Sequence, residues 1–72
     1  MTNDMRIQQE VVSELEHDDS VPAGAIGVEV HQGVVKLAGC VSDLMIKRSA
    51  ERDARRVSGV TSVVLDLGVE TR

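Results

Sequence analysis

Cys40, His17 and His31 are the side chains in this 72-residue sequence best suited to nucleophilic or metal chemistry. A reactive thiol needs a basic or helix N-terminal setting, and zinc needs three or four ligands at short spacings. Three separate segments would have to converge to bring these side chains together. The sequence therefore favours a small packed cysteine over a catalytic one, and we expect no metal and no cofactor.

Carboxylates are numerous, with twelve Asp and Glu in the chain, but most fall on the predicted exteriors of helices. A catalytic pair needs burial to separate its two pKa values. The stretch Gly24–Gly27 has the letters of a GXXG phosphate clamp, yet it lacks a basic residue and lies between a helix and a strand. Because no set of nucleophile, base and orienting group can be named, we predict that the protein is not an enzyme.

The positive charges are concentrated in one segment. Residues 4–19 hold six acids and one base, whereas residues 43–56 hold five bases and three acids. Arginines at i, i+4 and i+7 or i+8 form a stripe on one side of a helix. One interpretation is an anion-binding face for lipid headgroups or nucleic-acid phosphates; the other is a solvated face neutralised by Glu51 and the acidic first helix. The candidate anion-binding residues are Lys47, Arg48, Arg52, Arg55 and Arg56.

Nucleic acid is the less favoured anionic partner. The chain carries a net charge of −4 and contains no Phe, Tyr or Trp, so no side chain is available on which bases can stack. We therefore expect no nucleic-acid partner.

The elements that position this stripe follow from the spacing of apolar residues. A spacing of i, i+4 and i+8 predicts a helix, and strict alternation predicts a half-buried strand. The predicted helices carry Ile7, Val11 and Leu15, and Ile46, Ala50, Ala54 and Val57. The predicted strands carry Ile26, Val28 and Val30; Val35, Leu37, Gly39 and Val41; and Val63, Leu65, Leu67 and Val69.

Several polar and glycine residues mark the boundaries of these elements. Gln32-Gly33 is the predicted hairpin turn. Ser42 is the expected N-cap of the second helix, which Ser58-Gly59 is expected to end. Gly39 is expected to permit close approach of a helix or to mark a bulge. Asp53 occupies an apolar arc of the second helix, so it lies either at the margin of the core or in a polar pocket, and we expect the margin.

The order α-β-β-α-β predicts an α+β two-layer sandwich, with two helices on one face of a three-stranded sheet. If the second helix is a right-handed crossover, strands two and three are parallel and the sheet is mixed. The chain has room for one domain, residues 1–72, with its core over about residues 4–69. At least one edge of so small a sheet is left exposed.

Taken together, these positions resemble a BON domain, the bacterial OsmY and nodulation module. The resemblance covers nearly the whole chain, and the spaced glycines make it more specific than a match of periodicity. It rests on Ile7…Val11…Leu15, Ile26-x-Val28-x-Val30, Gly33-x-Val35-x-Leu37-x-Gly39-x-Val41 and Ala50-x-x-x-Ala54-x-x-Val57-x-Gly59-Val60-x-x-Val63.

The resemblance implies a non-enzymatic binding module for anionic phospholipid or the cell envelope, in osmotic-stress and transport-associated proteins. The alternative is a protein-interaction or self-association module with no lipid role. Many members carry a signal peptide, whereas this sequence opens with Met1-Thr2-Asn3-Asp4 and contains no long apolar run. We therefore expect a cytoplasmic location as written, or the periplasm or envelope if the chain was cut from a longer exported protein.

Overall fold

The computed structural model describes residues 3–70, in which two helices and three strands follow one another in the predicted order α-β-β-α-β. A single 3₁₀ turn, Ala23–Ala25, precedes the first strand. The elements are α1 (Asn3–His17), β1 (Ile26–His31), β2 (Val34–Val41), α2 (Leu44–Arg55) and β3 (Ser62–Val69).

The three strands form one mixed sheet in the order β1-β2-β3, so β2 is central and both other strands are edges. β1 and β2 are antiparallel, with Ile26 opposite Gly39 and His31 opposite Val34. β3 is parallel to β2, because α2 carries the chain back across the helix-covered face of the sheet. The predicted mixed sheet is confirmed.

The core lies between the helices and one face of the sheet. Alternate residues of β2 point toward the helices, and α1 packs over β1 with buried apolar side chains at a spacing of four. On α2 the buried apolar residues are alanines, which let the helix backbone lie close to the strands. The buried apolar residues are Ile7, Val11, Leu15, Val21, Ile26, Val35, Leu37, Val41, Ala50, Ala54, Val57 and Leu67.

The predicted hairpin turn at Gln32-Gly33 is confirmed, and both residues have positive φ, at 52° and 81°. These are the angles of a type I′ turn, whose twist matches that of the strands. The Asp4 carboxylate accepts hydrogen bonds from both turn amides, at 2.9 Å from Gln32 N and 3.1 Å from Gly33 N. The first turn of α1 is therefore attached to the tip of the hairpin.

Two predicted boundaries of α2 are wrong. Its N-cap is Asp43, whose carboxylate accepts a hydrogen bond from the Met45 amide, so the cap lies one residue beyond Ser42. The helix ends at Arg55, three residues before Ser58, and Gly59 belongs to the turn that leads to β3. The shorter helix leaves Arg56 at the C-cap, where it lies beside the end of α1.

Candidate functional site

Four arginines of the predicted stripe line one shallow depression of about 420 Å³ on the outer side of α2. We call Arg48, Arg52, Arg55 and Arg56 the cationic face. All four side chains are exposed, and Glu51 lies among them. The fifth candidate, Lys47, is half-buried on the flank of the helix and does not line the depression.

The helix places this face opposite its buried alanines. Ala50 and Ala54 lie against the sheet, so Arg48, Arg52 and Arg55 lie on the side turned to solvent. The last turn of a helix carries partial negative charge, which favours arginines there. Local helix geometry therefore concentrates the cations without any contact from the rest of the fold.

Acidic side chains engage two of the five candidate cations. Glu51 Oε2 accepts from Arg55 at 3.2 Å from Nε and 3.0 Å from Nη2. Arg52 lies 3.8 Å from Asp18 and 3.9 Å from Asp53. Within residues 3–70, no carboxylate oxygen lies within the 4.0 Å ion-pair distance of the remaining three cations, which are Lys47, Arg48 and Arg56.

An exposed apolar pair adjoins the cationic face. Leu44 and Met45, in the first turn of α2, are 51% and 67% exposed. Met45 precedes Arg48 by three residues and Arg52 by seven, so all three lie on the same side of the helix. The outer side of α2 is therefore apolar at its start and cationic toward its end. The charge pattern of the sequence predicts the cationic part but not the apolar part.

A second polar site lies where the end of α1 meets α2. Asp18 and Asp53 line a cleft of about 290 Å³, whose walls also carry Glu14, His17, Asp19, Arg52 and Arg56. Asp53 is 3% exposed, and its Oδ2 has no hydrogen-bond partner among the described residues. Asp53 therefore lies in a polar pocket, the alternative to the predicted margin of the core, because the residues after α1 cover it.

The environments of the two carboxyls drive their pKa values apart. Burial, a hydrogen bond with Asp18 and the negative charge of Asp18 together raise the pKa of Asp53 to about 6, against the opposing effect of Arg52 and Arg56. Asp18 accepts hydrogen bonds from Asp53 and from both the amide and hydroxyl of Ser20, which lower its pKa to about 2. Between these values the pair holds one proton, which resides on Asp53.

Cys40 and the histidines lie apart. Cys40 is exposed near the end of β2, six residues from Val34, which pairs with His31, so the strand separates them by roughly 20 Å. His17 lies at the end of α1, with Nδ1 2.7 Å from the Ser13 carbonyl oxygen. The stretch 3–70 contains no group of three or more His, Cys, Asp or Glu placed to hold a metal ion.

The two-layer αββαβ architecture places the chain in the class of small α+β domains. A family model of the BON domain matches residues 3–71, so the chain belongs to the BON domain family, as its sequence pattern predicts. This is a family of non-catalytic binding modules. No protein in a search of curated sequences matches the chain. Neither helix within residues 3–70 has the length and apolar character needed to cross a bilayer.

Proposed function

We propose that this protein is a non-enzymatic module that binds anionic phospholipid surfaces through the outer side of α2. The observation that carries the proposal is the exposed cationic face, next to an exposed apolar pair on the same helix. The arginines bind the phosphates of the lipid headgroups, and Leu44 and Met45 insert at the boundary between the headgroups and the acyl chains.

The ion pairs within the cationic face leave enough charge for such binding. A basic residue near an anionic membrane contributes about 1 kcal/mol. Arg48 and Arg56 lie outside the ion pairs described above, and the exposed pair of Arg55 with Glu51 is of the weak kind that phosphate can displace. The net charge of −4 opposes approach in other orientations, so the expected binding is weak and oriented.

The apolar pair favours lipid over a soluble polyanion. Amphipathic helices bind membranes by placing apolar residues at the headgroup boundary while cations remain at its surface. Leu44 and Met45 have this position relative to Arg48. A soluble phosphate ligand would use the arginines and leave the apolar residues in water.

Replacing Arg48 with glutamine is expected to weaken binding to anionic vesicles about fivefold, the equivalent of about 1 kcal/mol. The measurement is co-sedimentation with vesicles of anionic or zwitterionic phospholipid, at low salt and at roughly 0.5 M salt. Lys36→Gln is the matched control, because it makes the same change in net charge on the open face of the sheet. Equal losses from both variants would show that net charge, and not the cationic face, governs binding.

The wild-type protein is expected to bind only anionic vesicles and to be released by salt, because counter-ions screen exposed charges. Absence of binding to anionic vesicles at low salt would overturn the proposal. Binding to zwitterionic vesicles that resists salt would also contradict it, because the arginines would then have no role.

Replacing Leu44 and Met45 together with serine is expected to reduce vesicle binding about tenfold while leaving binding to soluble dextran sulfate unchanged. The loss follows from removing two side chains from the acyl boundary, where partial burial of each contributes about 0.7 kcal/mol. Met5→Ser is the control, since Met5 is 65% exposed on α1. An equal loss of binding to vesicles and to dextran sulfate would show that Leu44 and Met45 stabilise α2 and do not contact lipid.

The alternative function is protein interaction without a lipid role. The observation in its favour is the outer edge of β3, which has no neighbouring strand among the described residues. Substitutions on the outer side of α2 test vesicle binding and substitutions on β3 test edge pairing, so separate variants distinguish the two functions.

A further inference from the structure

The two edges of the sheet differ in how well they are protected. At the β1 edge, Gln8 Nε2 on α1 donates a hydrogen bond to the Val28 carbonyl at 3.2 Å, and Asp4 holds the turn that follows. At the β3 edge, no strand within residues 3–70 lies on the outer side. Backbone groups of alternate β3 residues therefore point outward without a strand to accept them.

β3 also lacks the features that usually block an edge. It pairs with β2 in one continuous register over eight residues, from Ser62 to Val69, and contains no lysine and no proline. Its one charged residue is Asp66, on the open face of the sheet. Nothing in the strand therefore opposes pairing with another strand on the helix-covered face.

The helix-covered side chains of β3 are incompletely buried. Val63, Leu65 and Val69 are half-buried, whereas Val35 and Leu37 on the central strand are fully buried. α1 lies over β1 and α2 lies mainly over β3, and the outer flank of β3 is left partly open. A further strand beside β3 would cover these side chains.

We propose that two copies of this chain associate through β3, which pairs antiparallel with the β3 of the second copy around a twofold axis at Leu65. The proposal does not depend on lipid binding. The partner is a second copy because one register of β3 against itself pairs its half-buried apolar residues with each other and keeps the two Asp66 carboxylates apart.

Symmetry limits the possible registers. A twofold axis perpendicular to the sheet keeps the helices of both copies on the same side. One residue must then lie directly opposite its own copy across the axis, because residues opposite each other point to the same face. Axes at Leu65 and at Asp66 each pair seven residues, and other centres pair five or fewer. An axis at Asp66 would place two Asp66 carboxylates directly opposite each other, which is destabilising.

The axis at Leu65 gives compatible neighbours on both faces. On the helix side, Leu65 faces its own copy and Val63 faces Leu67, so the half-buried apolar residues cover one another. On the open side, Val64 lies opposite Asp66, and Val64 is 48% exposed in the single chain. The two carboxylates then lie on opposite sides of the axis.

The helix layer is compatible with this arrangement. α2 packs over both β2 and β3. α2 lies closer to β3 than to β2, and strands lie about 4.8 Å apart, so the two α2 axes in the dimer would lie about 8 Å apart, at the short end of the usual distance for packed helices. Lys47 and Glu51, one turn apart on α2, are both half-buried, so this side of the helix carries both signs of charge.

Two substitutions at one site test the association and its register. Val64→Asp places a carboxylate opposite the copy's Asp66 and is expected to weaken the dimer about tenfold, whereas Val64→Lys places an ammonium there and is expected to preserve or strengthen it. Analytical ultracentrifugation measures the dissociation constant, and circular dichroism checks that both variants fold. Glu29→Lys, on the open face of β1, is the control for the other edge and is expected to leave the dimer unchanged.

A wild-type chain that sediments at 7.8 kDa at every concentration up to 1 mM would overturn the proposal. Equal weakening by aspartate and lysine would overturn the register, and weakening by Glu29→Lys alone would move the interface to β1. If Val64→Asp fails to fold, Val64→Lys and the double variant Val64→Asp/Asp66→Lys carry the test. The double variant restores an opposite-charge pair in the proposed register and is expected to dimerise.

Discussion

Replacing Gly39 with alanine is expected to lower the free energy of unfolding by about 3 kcal/mol or more, enough to unfold much of so small a domain at room temperature. Gly39 has φ of +141°, and a Cβ added there would lie 2.3 Å from the carbonyl oxygen of Ala25. That oxygen belongs to the backbone entering β1, so relief requires moving the strand. Urea denaturation followed by circular dichroism measures the loss.

Gly27→Ala is the matched control for this prediction. Gly27 is one position along the same pair of strands, where an added Cβ meets nothing closer than the Ala38 oxygen at 3.8 Å. Its unfolding free energy is expected to stay within about 1 kcal/mol of the wild type. Equal destabilisation by the two variants would show that strand propensity, and not the close approach of Ala25, determines the need for glycine.

The position of Gly39 shows how far the sequence specifies the fold. The alternation around it predicts the strand, and the absence of a side chain predicts a close approach. The approaching residue is Ala25, the last of the 3₁₀ turn that leads into β1, and it belongs to neither α1 nor α2, because hairpin register decides which backbone lies beside residue 39. Local pattern thus identifies the constraint, whereas its partner depends on pairing thirteen residues back along the chain.

The candidate binding surface divides in the same way. Helical spacing alone places Arg48, Arg52 and Arg55 on one exposed side of α2. Which arginines are engaged depends on tertiary contacts, since Asp18 reaches Arg52 only after α1 and α2 pack together. Two neighbouring residues also competed for the N-cap, and the carboxylate of Asp43 occupies it in place of Ser42.

Asp53 is the residue whose environment sequence reasoning misplaced, and it yields the other large prediction. Its position on the apolar side of α2 indicates that a charged group is buried. The group that it contacts is Asp18, thirty-five residues earlier, which no pattern within α2 could predict. Around the pair lie Glu14, His17 and Asp19 from the α1 end, and Arg52 and Arg56 from α2.

The two pKa shifts act on stability in opposite directions. The raised pKa of Asp53 means that the folded chain binds this proton more tightly than the unfolded chain, so stability rises as pH falls from about 7 to about 4. The lowered pKa of Asp18 means that its contribution is present above about pH 4 and is lost as pH falls toward 2. The pair therefore favours maximum stability near pH 4 to 5.

Replacing Asp53 with asparagine is expected to stabilise the protein at pH 7 and to flatten its stability between pH 4 and pH 7. Asparagine keeps the shape and a hydrogen bond to Asp18 but removes a buried charge whose Oδ2 has no partner among residues 3–70. The gain at pH 7 is on the order of 2 kcal/mol, or roughly 10 °C in Tm for a domain of this size. Thermal melts at pH 4, 5, 6 and 7 measure it.

Asp19→Asn, which changes an exposed carboxylate of the same cleft, is the control and should keep the wild-type pH dependence. Two results would contradict this prediction: a wild-type Tm that rises steadily from pH 4 to pH 7, or an Asp53→Asn variant that melts below the wild type at pH 7. Either result would show that attraction to Arg52 and Arg56 outweighs repulsion from Asp18, so that the buried carboxylate stabilises the fold.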